Sequence, residues 1–259
     1  MKSPILIIAL ALCLCGVVSA QRWNPTVVIS EGWNNQDMVF NAAGDVSLVA
    51  ADASAQLATR GPKLVYDETL NITWLRDANL ALTNTFGVSG IDPDGAMDWY
   101  TAQAFIDAMN AANYLGYSDW RLPRIDPIGA EYNFYPSYDG STDYSINITS
   151  PHSELAYMFT VNLGNYAPGS TTTGLVDVRK NHFDESLFTN LGCASDRAWC
   201  PTYWSGNIYP PNPVYPMTGD GVWVFGMDIG WQSGDYATKQ YYVWPVRDGD
   251  VVRGGGHKK

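Results

Sequence analysis

The sequence predicts an α+β domain, and three observations carry that prediction. Strings rich in β-branched and aromatic residues stand at both ends of the main body. They are Leu64-Val65-Tyr66-Asp67 and Ile72-Thr73-Trp74-Leu75 near the start, then Val222-Trp223-Val224-Phe225 and Tyr241-Tyr242-Val243-Trp244-Pro245-Val246 near the end. Two stretches with helical spacing lie between them. The strands are grouped at the ends rather than alternating with helices, which favours antiparallel pairing over a wound parallel sheet.

The chain opens with a basic residue, Lys2, and an uncharged run to Ala20 that closes on Val18-Ser19-Ala20. This is the pattern of a secretory signal, so residues 1–20 are expected to be removed and the mature chain to be extracellular. The apolar run is too short to span a bilayer, and the mature chain is expected to carry no membrane span. Residues 21–60 hold few large apolar side chains and read as an N-terminal extension, ending at Arg60-Gly61-Pro62. Within it, Thr26, Val27, Val28, Ile29 and Ser30 form a short β-branched strand, and residues 46–50 a second. A strand on a polar leader can be donated to the sheet edge of a neighbouring copy or folded back on its own domain.

The main domain is expected over residues 61–250. Its first two strands flank a turn at residues 68–71. A helix is expected over 99–115, with Asp98 as N-cap, Trp99, Ala102, Ile106 and Met109 on one face, and Gly116 as the stop. Residues 126–149 read as loop. A second helix is expected over 151–163, with Ser150 as cap, Pro151 in the first turn and Gly164 at the end. The Gly-containing span 230–236 reads as the connection between the last two strands, and the tail 251–259 as disordered.

Across 259 residues there are 15 Lys and Arg against 26 Asp and Glu, a net charge of −11 that loss of Lys2 makes one unit more negative. That balance argues against nucleic acid as a partner. Cys193 and Cys200 remain in the mature chain, and an oxidising compartment makes a disulfide between them the default reading. Neither a nucleophile elbow, a zinc-protease helix, a phosphate loop nor a dinucleotide fingerprint occurs, and the three histidines stand at no metal-ligand spacing. The expectation is a non-enzymatic protein without a resident cofactor. Asp92-Pro93-Asp94-Gly95 with Asp98 resembles part of a calcium loop, which leaves calcium as a candidate ligand; the alternative is a turn followed by a helix cap. Two tyrosine-bearing loops are candidate ligand sites. One carries Tyr135 and Tyr138, the other Tyr209 and Tyr215 among prolines.

Several strings occur together: Asn71-Ile72-Thr73-Trp74-Leu75-Arg76-Asp77-Ala78-Asn79, Tyr117-Ser118-Asp119-Trp120-Arg121-Leu122-Pro123, Ser153-Glu154-Leu155, Tyr203-Trp204-Ser205 and Trp244-Pro245-Val246-Arg247-Asp248-Gly249. In these the chain resembles the Lcl C-terminal domain family, also filed as domain of unknown function 1566. The resemblance implies a fold similar to C-type lectins and to the formylglycine-generating enzyme, and extracellular display in adhesion or polysaccharide binding. The collagen-like repeats of the namesake adhesin do not occur in this sequence. Trp74, Trp120, Trp204 and Trp244 are expected in the core, and Arg121 and Arg247 are expected to hold loops through two-pronged bonds. The first expectation is a self-assembling filament or surface-layer subunit, its copies joined head to tail through the N-terminal strand, and the alternative is a lectin-like adhesin that binds surface glycans. An enzyme of the formylglycine-generating type would need a reactive thiol pair, which a disulfide does not offer.

Overall fold

The computed structural model describes residues 36–40, 46–50, 57–127, 132–165, 187–191, 201–214 and 216–251. The expected signal at residues 1–20, the strand of Thr26, Val27, Val28, Ile29 and Ser30, Tyr215, both cysteines of the expected disulfide and the tail beyond Val251 lie outside these residues. The chain divides into two units between Ala51 and Asp52. In the first, β1 (Gln36–Phe40) pairs antiparallel with β2 (Val46–Ala50), with Gln36 opposite Ala50.

The second unit is α+β with two antiparallel sheets. One has the order β3 (Leu57–Thr59), β4 (Leu64–Asp67), β5 (Ile72–Leu75), β9 (Val246–Asp248). The other has the order β6 (Thr202–Ile208), β7 (Gly221–Gly226), β8 (Trp231–Tyr236). β4 and β5 take the bounds the sequence predicts. β3 lies upstream of the expected break at Arg60-Gly61-Pro62, because Leu57, Ala58 and Thr59 pair with Asp67, Tyr66 and Val65.

The first helix, α1, spans Trp99–Ala111, and the Asp98 carboxylate caps it by accepting from Thr101 N at 2.7 Å. Its inner face is Ala102, Phe105, Ile106 and Met109. Burying Phe105 and Met109 completely contributes about 2 kcal/mol each. Trp99 stays partly exposed and donates its indole N–H to Ser205 O at 2.9 Å. The helix ends earlier than predicted, and a separate tight turn follows at Tyr114–Gly116. Both Asn113 and Leu115 adopt left-handed backbone there, which a continuing helix cannot accommodate. The second helix, α2, starts at Glu154 rather than at Pro151, because Ser150 to Ser153 form a turn closed by Ser153 N donating to Ser150 O at 3.1 Å. α2 (Glu154–Tyr157) widens into a π-turn over Met158–Asn162, all of it buried.

In the last third of the domain one strand was not foreseen and two expectations are corrected. β6 contains the Tyr-Trp-Ser string and is a strand that its Gly and Asn conceal from a propensity reading. The span 230–236 is not a connection: Trp231–Tyr236 is β8, paired along its whole length with β7. Residues 241–246 are not one strand. Tyr241 bridges Met97, Tyr242 bridges Tyr203 beside β6, and only from Val246 does the chain pair with β5. Pro245 marks the change of partner; its carbonyl accepts from Leu75 N at 3.0 Å. This segment therefore belongs to both sheets.

β7 is central and buried throughout. Val222 and Val224 pack toward α1, Trp120 and Trp204, whereas Trp223 packs with Tyr209 and Ile125. Phe225 joins the core around Trp74, Trp244, Tyr203 and Phe159. Trp74 and Trp244 lie with ring centroids 4.5 Å apart. The expected core tryptophans Trp74, Trp120, Trp204 and Trp244 are all buried, and Trp204 and Trp244 donate their indole N–H groups to Met97 O at 2.8 Å and Leu75 O at 2.7 Å.

Candidate binding surface

The motif residues build a frame of ion pairs. Arg121 exchanges two backbone bonds with Val246, which continues the edge of β9, and so fixes the position of its own side chain. That guanidinium grips Glu154 with two bonds of 2.8 Å and reaches Asp248 at 2.5 Å. The second oxygen of Asp248 accepts from Arg124 at 3.5 Å. Arg247 grips Asp119 with two further bonds of 2.8 Å and lies 4.2 Å over the Tyr117 ring. The Arg247 bonds hold the Asp119 carboxyl below its usual range. Burial pushes the Asp248 carboxyl up, but the Arg121 bonds more than offset this, and its pKa is also lowered. Every oxygen of Glu154 has a donor, since Arg124 N reaches Oε2 at 2.7 Å. The frame is a set of paired charges that locks loops together, with Arg247 Nη1 buried and without a partner among the described residues.

The exposed chemistry lies on the loop after residue 131. Its anchors point inward: Tyr132 donates to Ile125 O at 2.9 Å, Phe134 stacks on Trp223 at 6.0 Å, and Tyr144 meets Trp231 edge-on at 6.0 Å. Buried polar groups complete the attachment. Asn133 N donates to Asp143 Oδ2 at 2.9 Å, and the buried Gln232 amide donates to Asp143 O at 2.7 Å. Asn147 Nδ2 holds Tyr138 O at 2.9 Å. Gly140, at φ +78, passes against the Asn147 backbone where a Cβ would overlap it. Held this way, Tyr135 and Tyr138 are 68% and 67% exposed. Asp139 follows Tyr138 directly, and bonds from Ser141 hold its carboxyl below the usual range, so it is ionised at neutral pH. Two rigid aromatic rings beside a carboxylate and hydroxyls can stack on an apolar sugar face and accept from sugar hydroxyls.

The other expected ligand tyrosine is corrected. Tyr209 is 6% exposed, packed edge-on to Trp223 with centroids 4.6 Å apart, with its hydroxyl on the Asn212 amide. Gly234 leaves room for its ring, and that packing removes Tyr209 from any surface site. The aspartates of the calcium-like turn are also not gathered round one point. Asp98 caps α1; Asp94 accepts from Ala96 N at 3.1 Å and from the Tyr242 hydroxyl at 3.0 Å. Asp92 takes part in the turn through its backbone, accepting from Gly95 N at 2.8 Å. Among the described residues no group of three or more His, Cys, Asp or Glu side chains is placed to hold a metal ion. No helix among them is long and apolar enough to cross a membrane.

Sequence reasoning missed the partners of the frame, Glu154 and Asp119, although both stand inside the quoted strings. The frame ties the strings around Arg121, Glu154 and Asp248 into one unit, and the Lcl C-terminal domain model matches residues 63–247. The chain belongs to the Lcl C-terminal domain family. None of the curated proteins and none of the solved structures compared with this family member matches it.

Proposed function

We propose that this Lcl C-terminal domain protein is a non-enzymatic, secreted surface protein that binds glycans through the loop bearing Tyr135 and Tyr138. The observation that carries this reading is the pair of tyrosine rings, each about two-thirds exposed, on a loop fixed to the body by buried bonds. Pre-organised aromatic rings bind with little ordering cost. The C-type-lectin-like fold and the Cys193–Cys200 disulfide are part of the same proposal; pairing of β9 with β5, which joins the two ends of the domain, supports the former. Glycan-array binding by residues 21–259, compared with a Tyr135→Ala/Tyr138→Ala variant, tests it. Truncating exposed anchors costs on the order of 1–2 kcal/mol, about tenfold in affinity. Binding unchanged in the variant would remove the site, and no binding to any glycan would remove the function.

A second reading is self-assembly through the strand of Thr26, Val27, Val28, Ile29 and Ser30, donated to the next copy. The observation favouring it is the outer edge of β3. Arg60 N bonds to Leu64 O at 2.8 Å, so by alternation Leu57 and Thr59 turn their N–H and C=O groups away from β4. An arriving strand has donors and acceptors to pair with there. Deleting residues 21–35 is expected to abolish polymer without lowering the melting temperature; polymer that survives the deletion overturns this version.

A further inference from the structure

The two ends of α1 differ in charge and in shape. Beyond its C-terminal end lies an open groove of about 850 Å³ that includes Arg60, Lys63, Leu115 and Tyr117. A second hollow of about 530 Å³ adjoins it, and Pro62 and Lys63 line both. Arg60 is tied to Asp250. Lys63 is exposed, rests 5.7 Å over the Tyr114 ring and forms no ion pair among the described residues. Leu115 holds a left-handed backbone at φ 58 on the groove wall, a conformation that costs a branched residue energy and concentrates at contact sites.

The N-terminal end of α1 carries the opposite features. Tyr100 and Tyr236 are 48% and 38% exposed. Between them stands exposed Asp220, which accepts from the Tyr100 hydroxyl, and Asp235 accepts from Tyr236 N at 2.7 Å and the Tyr241 hydroxyl at 2.5 Å. Neither Asp220 nor Asp235 belongs to an ion pair among the described residues, and the cation nearest in sequence is Lys239. With 1.5 Å rise per residue, the 13-residue helix separates these ends by roughly 20 Å.

We infer that the tyrosine-and-carboxylate end of one copy docks in the Lys63 groove of a second copy, giving head-to-tail contact. The occupant is this same chain because it carries both complementary surfaces, one a concave groove in which Asp250 pairs with Arg60 and leaves the Lys63 charge, the other two partly exposed aromatic rings flanked by carboxylates. Opposite charge sets the register of the pair, and the rings fill the hollow beside Leu115 and Tyr117. Because the two surfaces are different patches at opposite ends, each contact leaves one of each free, and the chain of copies can grow. This inference rests on the self-assembly reading but not on the strand at residues 26–30.

The test is sedimentation velocity of residues 21–259 over a concentration series at low and high salt, with Lys63→Glu, Asp220→Lys and the double variant, each checked for an unchanged melting curve. Wild type is expected to associate and to weaken with salt. Each single reversal is expected to weaken association at least tenfold. The double variant is expected to regain it, and so is an equimolar mixture of the single variants, in which each copy finds its complement on the other variant. Association indifferent to both reversals overturns the inference; if that association is lost on deleting residues 21–35, the strand-donation reading stands and this one falls. A wild type that stays monomeric at every concentration overturns both.

Discussion

Arg121 and Glu154 meet in a two-pronged ion pair, with both N to O distances 2.8 Å, across 33 residues of sequence. The side chains are 17% and 10% exposed. Removing one partner strands the other, so Arg121→Met is expected to cost about 3–5 kcal/mol. Arg121→Lys keeps the charge but not the planar fork that also reaches Asp248, and is expected to cost about 1–3 kcal/mol. Urea unfolding of the two variants measures both, and equal losses would show that the charge contributes nothing without the planar fork.

The Asp119 carboxyl, lowered by its bonds from Arg247, gives one limb of the pH dependence. A depressed carboxyl contributes stability above its unfolded pKa that disappears as pH falls through the lower folded value. Stability is therefore expected to fall below about pH 4, and Asp119→Asn to flatten that limb. The effect is small because Asp119 is 53% exposed and solvent screens the pair. Unfolding midpoints between pH 2 and pH 6 measure it.

Asp67 gives a limb of opposite sign. It is fully buried, and burial raises its pKa although Leu70 N, the Asn162 amide and Thr69 N all donate to it. A raised carboxyl contributes stability that is complete below its unfolded pKa and is lost as pH rises through the folded one. Asp67→Asn is expected to remove this loss above about pH 4, with the Asn162 amide turning over to present its otherwise unbonded oxygen. Asp67→Ala leaves three donors without an acceptor and is expected to cost about 2–4 kcal/mol at any pH. The same denaturation series separates the two variants.

Gly234 and Tyr209 occupy one space. A Cβ on residue 234 would overlap the Tyr209 ring, which is itself held against Trp223. Gly234→Ala is expected to cost about 2–3 kcal/mol, and the Gly234→Ala/Tyr209→Ala double variant to be less unstable than the two single losses added. Additive losses in a double-mutant cycle would show that the two residues do not share the site. By contrast, Tyr135→Ala and Tyr138→Ala are each expected to change stability by no more than about 0.5 kcal/mol.

Much of the first half of the domain was legible because its signals are local. β4, β5 and the Asp98 cap follow from alternation, β-branching and a carboxylate before a helical run. β8 was not legible: Trp231-Gln232-Ser233-Gly234-Asp235-Tyr236 has no β-branched residue, and its strand form comes from pairing with β7 and from the space Tyr209 requires. The same cause moved Tyr209 from an expected surface loop into the core. The arginines of the quoted strings were legible as clamps, whereas their acceptors, 33 and 128 residues away, depend on topology. Tyr135 and Tyr138 could be named as exposed candidates, but not told from Tyr132 and Phe134, which lie on the same loop and face inward.

The segment shared by both sheets has a consequence for how the chain reaches its native state. Thr73 bonds to the carbonyl of Gly249, 176 residues later, and Trp244 bonds back to Leu75 across 169. The sheet begun near residue 57 therefore stays open along β5 until β9 has emerged. A chain synthesised from its N-terminus can pair β6, β7 and β8 with one another as they emerge, but it must hold the β9 side of β5 unpaired until Val246–Asp248 have been made. Such an order makes folding slow and the nascent chain prone to aggregation.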